Sequence, residues 1–111
     1  MPPNRRHACK AALNDARRAR RVRDYRTAWA QLERAHILGQ PLIGAHLQAH
    51  WEMLRLAVAT RTPQEALGQV FRLALVIPGT LLGRLPAGNT GRANVSAFVP
   101  MDIPDELRPL L

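Results

Sequence analysis

The sequence predicts an all-α domain with four main helices in two antiparallel pairs and an irregular tail rich in Pro and Gly. Apolar residues recur at helical spacing as far as residue 79, and Gly and Pro residues divide this part of the chain into segments of helical length. A shift of 38 residues also superimposes Ala28 on Ala66 and Gln31 on Gln69. This internal repeat indicates two similar helix pairs.

The 111 residues fit a single domain, which we divide into three segments. A basic arm occupies 1–5, the helices occupy 6–79, and the tail occupies 80–111. Pro and Gly residues interrupt the tail, yet it retains several apolar side chains. We therefore expect the tail to pack against the helices.

A face of small apolar residues and a capping residue define the first pair of helices. The first helix, at about 6–22, is rich in Ala and Arg and contains no Gly or Pro. Its apolar residues are mostly Ala, which permits close approach of a second helix but buries little area. Asp24 is a suitable N-cap for that second helix, and Gly39 and Pro41 end it.

The second pair begins with a helix at about 42–59, which carries an apolar stripe beside a stripe that contains two His residues. Thr62 is placed to cap the fourth helix, and Pro63 fits its first position. We expect Pro78 and Gly79 to end the fourth helix. The residues that we expect this helix to bury are Ala66, Leu67, Val70, Phe71 and Ala74.

The net charge of +8 is concentrated at the N-terminus. Residues 1–26 contain nine basic side chains and two acidic ones, which leaves +7 in this part. Such a density of Arg can neutralise phosphates and support nucleic-acid binding. No aromatic residue lies between Met1 and Asp24, so base stacking has no support, and a solvated Arg-rich face is the simpler interpretation.

The sequence also indicates the cellular compartment. No apolar run approaches the roughly 20 residues that a membrane span needs, and no apolar stretch of signal-peptide length follows the basic N-terminus. Cys9 is the only cysteine, so an intrachain disulfide is excluded. We interpret Cys9 as a small apolar helix residue and predict a cytoplasmic protein.

Glu33, His36, His46 and His50 form the most informative pattern. Glu33 and His36 are three residues apart, and His46 and His50 are four apart, so each pair shares one face of its helix. A short connection around Gly39 should pack the two helices antiparallel and place the two pairs at a similar distance from the turn. One carboxylate and three imidazoles suit Zn, Fe, Cu or Ni, and the alternative is a hydrogen-bonded or solvated polar seam.

Two resemblances extend this interpretation. The stretch from Asp24 to Trp29, together with Leu32, Ala35 and Pro41, resembles the second helix of a tetratricopeptide repeat. From Asp24 onward the chain also resembles a small bacterial family of uncharacterised proteins, domain of unknown function 3703. This second resemblance implies a fold and a bacterial origin but no activity. The segments that carry it are 33–40, His46, 50–54, 68–69, 78–79, 88–91, 95–98 and 100–104.

Three functions follow, in order of support. The first is transition-metal sensing, buffering or handling at the Glu and His residues, with affinity that falls as the pH drops through about 6. The second is a protein-interaction or homodimerisation module without metal, because two repeats leave apolar surface uncovered. The third is nucleic-acid binding. We identify no catalytic residue, and an enzyme would require a metal with an open coordination position.

Two further hypotheses concern polar residues. We expect the second ring nitrogen of each ligating His to bind a carboxylate, a carbonyl or water. Gln40, Gln48 and Glu52 are the nearest polar candidates in sequence, and Glu52 is the weakest candidate for a direct ligand. The run Gly88-Asn89-Thr90-Gly91 could hold an anion. It lacks the Lys of a phosphate loop, so a turn that returns the tail to the helices is the better interpretation.

Overall fold

The protein is all-helical in the part that the structure describes, which is residues 3–81, 89–93 and 99–111 of a computed structural model. Three residues join each of the four main helices to the next, so successive main helices run antiparallel. The first helix packs on the second and the third on the fourth, which confirms the predicted fold class. The main helices are α1 (Pro3–Arg21), α2 (Tyr25–Gly39), α3 (Ile43–Ala59) and α4 (Pro63–Leu81), followed by a 3-10 helix at Asp105–Leu110.

The 38-residue repeat of the sequence corresponds to a repeated turn. Arg23 and Arg61 occupy equivalent positions after α1 and α3, and both have a left-handed backbone, with φ of 61° and 55°. The amide of Asp24 donates to the carbonyl of Ala19, and that of Thr62 donates to Ala57, each at 2.9 Å. The amides of Arg23 and Arg61 each donate to the carbonyl three residues earlier. Together these hydrogen bonds form the same Schellman motif at the ends of α1 and α3.

Small side chains bring α1 close to α2. Ala12, Ala16 and Ala19 are buried on α1, as the sequence predicts, and they pack in one cluster with Leu32 of α2. Leu107 of the tail is 1% exposed and belongs to the same cluster. The described part of the tail therefore contributes to the core, in line with its apolar content.

The prediction of which α4 residues are buried is wrong. Leu67, Val70 and Phe71 are 71%, 52% and 56% exposed, and Ala74 is exposed as well. The helix instead turns its polar stripe inward, where Glu65 and Gln69 are buried. Helical periodicity identifies two faces but does not decide which one is buried, and the polar face wins because its side chains find hydrogen-bonding partners inside the protein.

Two helix ends also differ from the prediction. Helix α4 continues through Pro78 and Gly79 to Leu81. A proline removes one backbone donor, and so close to the end of a helix this loss interrupts few further hydrogen bonds. Helix α1 begins at Pro3 rather than near Arg6, because a proline fits the first turn of a helix, where its missing N–H has no partner to lose.

Several basic side chains of α1 have partners within the protein. Arg5 donates from Nε to the carbonyl of Leu38 at 2.7 Å and so satisfies the carboxyl end of α2. The carboxylate of Glu52, which is 4% exposed, lies 3.4 Å from Arg17 and 3.8 Å from Arg20. These contacts bind α1 to α2 and α3, and they weaken the case for a basic face devoted to nucleic acid.

Candidate metal centre

Three buried imidazoles meet between α2 and α3. The Nε2 atom of His36 lies 3.0 Å from that of His46 and 3.1 Å from that of His50, and the last two are 3.1 Å apart. The three residues are 3%, 6% and 2% exposed. One nitrogen from each ring therefore points at a common centre that is shielded from water.

A close turn between α2 and α3 produces this convergence. His36 lies in the last turn of α2, and His46 lies in the first turn of α3. Gly39 permits the approach, because a Cβ atom there would lie 2.9 Å from Cβ of Ala45 and 3.0 Å from Sγ of Cys9. His50 follows His46 by one helical turn and so adds the third ring from the same face.

The tautomer of His36 is fixed by a carbonyl group. Its Nδ1 atom lies 2.7 Å from the backbone oxygen of Asn89. Because a carbonyl oxygen only accepts hydrogen bonds, Nδ1 must carry the proton and donate it. A neutral imidazole has one such proton, so Nε2 of His36 presents a bare lone pair to the other two rings.

The tautomer of His50 is fixed by a side-chain amide. Nδ1 of His50 lies 2.7 Å from Oε1 of Gln69. The amide nitrogen of Gln69 donates to the Glu65 carboxylate at 3.1 Å and to the Gly91 carbonyl at 3.0 Å, so its orientation follows from its partners. Nδ1 of His50 is therefore the donor, and its Nε2 is also bare.

Because Nδ1 carries the proton in both His36 and His50, the three facing Nε2 atoms have too few protons to hydrogen-bond with one another. The lone pairs of His36 and His50 face each other at 3.1 Å, and only His46 could place a proton among the three nitrogens. That proton can point at one acceptor at a time. A metal cation at the centre would satisfy all three lone pairs together. The second ring nitrogens of His36 and His50 already have the kind of partner that metal-bound His normally has, whereas Nδ1 of His46 is buried without a hydrogen-bond partner among the described residues.

The nitrogen spacing agrees with a single ion. Three nitrogens at about 2.0–2.1 Å from one Zn²⁺ lie about 2.8 to 3.4 Å apart for angles between 90° and tetrahedral. The observed separations of 3.0 to 3.1 Å fall in this range. His36, His46 and His50 form a group that could hold a metal, with ligand atoms within 4.8 Å of one another.

Burial keeps these imidazoles neutral. It lowers the pKa of His46 to about 4, with a smaller contribution from His50, and it lowers the pKa of His36 well below its ordinary value. The pKa of His50 is also lowered to about 4, chiefly by burial, although the hydrogen bond to Gln69 opposes the shift. Neutral imidazole is the form that binds metal, so the rings are ready for an ion at neutral pH.

The structure does not bring Glu33 into the group of His residues. Its carboxylate lies 4.0 Å from Nη1 of Arg92, and burial raises the pKa of Glu33 while Arg92 opposes that rise. Glu52 faces the Arg residues of α1 instead of the imidazoles, as its position off the His face predicts. Direct ligation by Glu33 remains a prediction.

The second ring nitrogens of His36 and His50 bind carbonyl oxygens, as expected, but none of the three named candidates, Gln40, Gln48 and Glu52, supplies them. Gln48 is exposed and Glu52 is paired with Arg residues, whereas Gln69 and the backbone of Asn89 make the observed hydrogen bonds. The sequence offered one signal for Gln69, since it repeats Gln31 after 38 residues and lies on the polar stripe of α4. For Asn89 the signal was its Gly-rich run, which indicated only a turn.

The described part of that run, Asn89 to Gly91, forms a local turn beside the His cluster. The amide of Gly91 donates to Oδ1 of Asn89 at 2.9 Å, and Gly91 has a φ of 81°. A Cβ atom at Gly91 would lie 2.5 Å from Cδ2 of His36, so the backbone rests directly on the ring. The amide of Ala93 donates to Glu65 at 2.7 Å, and Arg92 is also paired with that carboxylate. Gly88 lies outside the described residues.

The fold and the site define a small helical protein with a buried cluster of three His residues. The chain belongs to the family described as "Protein of unknown function (DUF3703)", whose model matches residues 3–111. Neither the curated proteins nor the solved structures contain a significant match. Among the described residues, no helix is long and apolar enough to cross a membrane.

Proposed function

We propose that this protein binds one transition-metal ion through the Nε2 atoms of His36, His46 and His50, and that it senses, buffers or transfers that metal. One observation carries the proposal: the Asn89 carbonyl and the Gln69 amide oxygen each take the Nδ1 proton of a ring, which leaves two bare nitrogens facing each other at 3.1 Å. An arrangement built only for hydrogen bonding would place a proton between them.

The ligand set restricts the metal. Imidazole nitrogen suits Zn, Cu, Ni and Fe, whereas Mg and Ca prefer oxygen ligands. The three rings are neutral, so the ion would keep its full charge at the site. The chemistry of the donors does not choose among these transition metals, and the metal available in the cell would decide the occupant.

The test is elemental analysis of untagged protein, followed by titration with Zn²⁺, Ni²⁺, Cu²⁺ and Fe²⁺. A metal that binds the folded state at about 100 times its Kd should add about 3 kcal/mol to the free energy of unfolding. We expect this gain in the wild type and its loss in the His46→Ala, His50→Ala double variant. His7→Ala is the matched control, because His7 is exposed and lies outside the cluster.

The proposal fails on a clear result. If purified protein carries no metal, and if none of the four ions raises its melting temperature above that of the double variant, the cluster is structural. If metal still raises the melting temperature of the double variant, the ion binds elsewhere on the chain.

An exposed apolar face favours a second candidate, which is self-association. Helices α3 and α4 each expose large apolar side chains, and a surface rich in such side chains is typical of protein–protein contacts. A two-fold dimer would pair such a face with itself, which needs no complementary charge. The exposed side chains are Trp51, Val58, Leu67, Val70, Phe71 and Leu81, each more than half exposed.

Light scattering over a range of concentrations tests this candidate. Dimerisation through the face predicts a dimer for the wild type and a monomer for Phe71→Glu, with unchanged helix content in both. Lys10→Glu on α1 is the control, because it alters an exposed side chain on the other helix pair. A strict monomer at high concentration would remove the homodimer, and a heterologous protein partner would then be the remaining form of this candidate.

A further inference from the structure

The proton position of His50 depends on the orientation of one side-chain amide. Gln69 is 0% exposed, and its Oε1 atom accepts the Nδ1 proton of His50 at 2.7 Å. A flipped amide would present its NH2 group there instead, and His50 would then carry its proton on Nε2. In that position the proton would point at the bare Nε2 of His36, 3.1 Å away, and would block the lone pair that a metal needs.

Two acceptors oppose the flip of this amide. The amide nitrogen of Gln69 lies 3.1 Å from Oε2 of Glu65 and 3.0 Å from the carbonyl oxygen of Gly91. After a flip, the amide oxygen would face both of these oxygens without a proton between them. Buried acceptors that lose their donors are costly, so Glu65 and Gly91 together set the orientation of Gln69.

Glu65 is the stronger of these two acceptors because it is ionised. Its carboxylate accepts three hydrogen bonds, from Nε of Arg92, from the amide of Ala93 at 2.7 Å and from Gln69. Burial alone would raise the pKa of Glu65, but these hydrogen bonds outweigh burial and lower it. A hydrogen bond to a charged carboxylate is about twice as strong as one to a neutral carbonyl. Glu65 therefore contributes more than Gly91 to the orientation of Gln69.

We infer that Glu65 is a positioning residue of the metal centre: through Gln69 it keeps the proton of His50 on Nδ1 and leaves Nε2 free to bind a metal. Glu65 lies outside the group that could hold the ion, so it acts through Gln69 and not as a ligand. The inference rests on the proposed metal binding for its function. The position of the proton is nevertheless a property of the metal-free protein, and it can be measured there.

Nitrogen NMR of the His side chains in the metal-free protein is the test, because protonated and bare ring nitrogens resonate at different frequencies. The wild type should show the His50 proton on Nδ1. Glu65→Met keeps a similar volume but removes the acceptor, so the proton should move largely to Nε2, where His36 accepts it. Metal affinity should fall by about 10- to 100-fold in this variant.

Glu65→Gln is the conservative variant. Its one side-chain oxygen can still accept from both Gln69 and Ala93, which share Oε2 of the wild-type carboxylate, while its NH2 group faces Arg92. It should therefore keep the wild-type proton position. Glu65→Asp keeps the charge but is one methylene too short to reach Gln69, so it should move the proton as Glu65→Met does. It replaces Glu65→Met as the test if that variant does not fold.

Glu52→Met is the matched control. Glu52 is also a buried carboxylate paired with Arg residues, but it faces α1 instead of the imidazoles. Its replacement should destabilise the protein and leave both the His50 proton and the metal affinity unchanged. This control separates a positioning role from a general loss of stability.

The results separate this inference from metal binding itself. A His50 proton on Nε2 in the wild type overturns the inference, and so does a proton that stays on Nδ1 in Glu65→Met and Glu65→Asp. An equal loss of metal affinity in Glu65→Met and Glu52→Met overturns it as well. If the proton moves as expected but the wild type binds none of the ions, the effect of Glu65 on His50 is supported and the proposed metal binding fails.

Discussion

The side-chain oxygen of Gln69 on α4 lies 2.7 Å from Nδ1 of His50 on α3. This contact connects the two helices of the second pair at the His cluster, and the amide nitrogen of Gln69 in turn donates to Glu65 and Gly91. The buried polar face of α4 is therefore the support of the His cluster. It also explains why α4 turns its apolar residues outward.

Replacement of Gln69 by Met should weaken metal binding without removing a ligand. The methionine fills a similar volume but cannot accept the Nδ1 proton of His50, so that ring can adopt the wrong tautomer. We expect metal affinity to fall by about 10- to 100-fold and the free energy of unfolding to fall by about 1–3 kcal/mol. Isothermal titration and chemical denaturation measure the two effects.

Gln48→Met is the matched control for this variant, because Gln48 is exposed on α3. It should change neither quantity appreciably. Equal metal affinity in Gln69→Met and wild type would show that the amide does not set the tautomer of His50. Loss of stability alone would then mark Gln69 as a structural residue.

Replacement of Gly91 by Ala should disturb the same centre from the backbone side. A Cβ atom there would lie 2.5 Å from the His36 ring, and the φ of 81° is unfavourable for any residue with a side chain. We expect a loss of about 1–3 kcal/mol in the free energy of unfolding together with weaker metal binding. Thermal melts with and without metal measure both.

Gly44→Ala provides the contrast. A Cβ atom at Gly44 meets nothing within 4 Å, and the residue lies in α3 with ordinary helical geometry. The substitution should stabilise the protein by about 0.5–1 kcal/mol, because Ala has the higher helix propensity. If both glycine variants behave alike, the turn at Gly91 does not rest on His36 as the structure has it.

The part of the site that the sequence predicted is the part set by local spacing. Residues three or four apart on a helix share a face, and a three-residue connection folds α3 back on α2, so His36, His46 and His50 could be brought together from the sequence alone. The same spacing placed Glu33 beside His36. It could not show that the carboxylate turns toward Arg92, which lies in the tail.

The supporting residues could not be predicted because they come from distant parts of the chain. Gln69 is 19 residues from His50, and Asn89 is 53 residues from His36. Their roles depend on how α4 and the tail pack, and the packing of α4 was itself misjudged. A polar face in the interior is stable only when every group finds a partner, and periodicity contains no information about those partners.

The carboxylate of Glu52 should stabilise the fold independently of the metal. It is buried beside Arg17, Arg20 and Arg55, so Glu52→Gln leaves three guanidinium groups without their counter-charge. Because the Arg side chains keep some contact with water, we expect a loss of about 2 kcal/mol in the free energy of unfolding. Urea denaturation measures it, and the metal stoichiometry of the variant should equal that of the wild type.

An exposed ion pair provides the comparison for Glu52. Asp15 lies 3.4 Å from Arg18, and both side chains are about half exposed or more. Asp15→Asn should change the free energy of unfolding by less than about 0.5 kcal/mol. If Glu52→Gln costs no more than Asp15→Asn, the buried cluster does not bind α1 to α3 as the structure indicates.

The metal-free protein should lose stability as the pH falls from about 6.5 to about 4. His46 and His50 have folded-state pKa values lowered from 6.5 to about 4, chiefly by burial. Between these limits the unfolded chain binds protons that the folded chain does not, so acid favours unfolding. The stability is complete above pH 6.5 and decreases progressively toward pH 4. Each ring contributes roughly 3 kcal/mol, a large share of the stability of a small domain.

Metal binding should persist to lower pH than an ordinary imidazole would allow. The expectation that affinity falls through about pH 6 assumes an unshifted pKa, whereas the rings of the folded protein stay neutral to about pH 4. The gain in melting temperature on adding metal should therefore stay nearly constant from pH 7 to pH 5, while the metal-bound protein and the protein in chelator lose stability in parallel, because the unfolded chain takes up the same protons in both cases. Thermal melts in both conditions measure the difference, and His7→Gln, at an exposed position, should reproduce both curves. A pH-independent melting temperature in chelator would mean that the imidazoles do not resist protonation in the folded state.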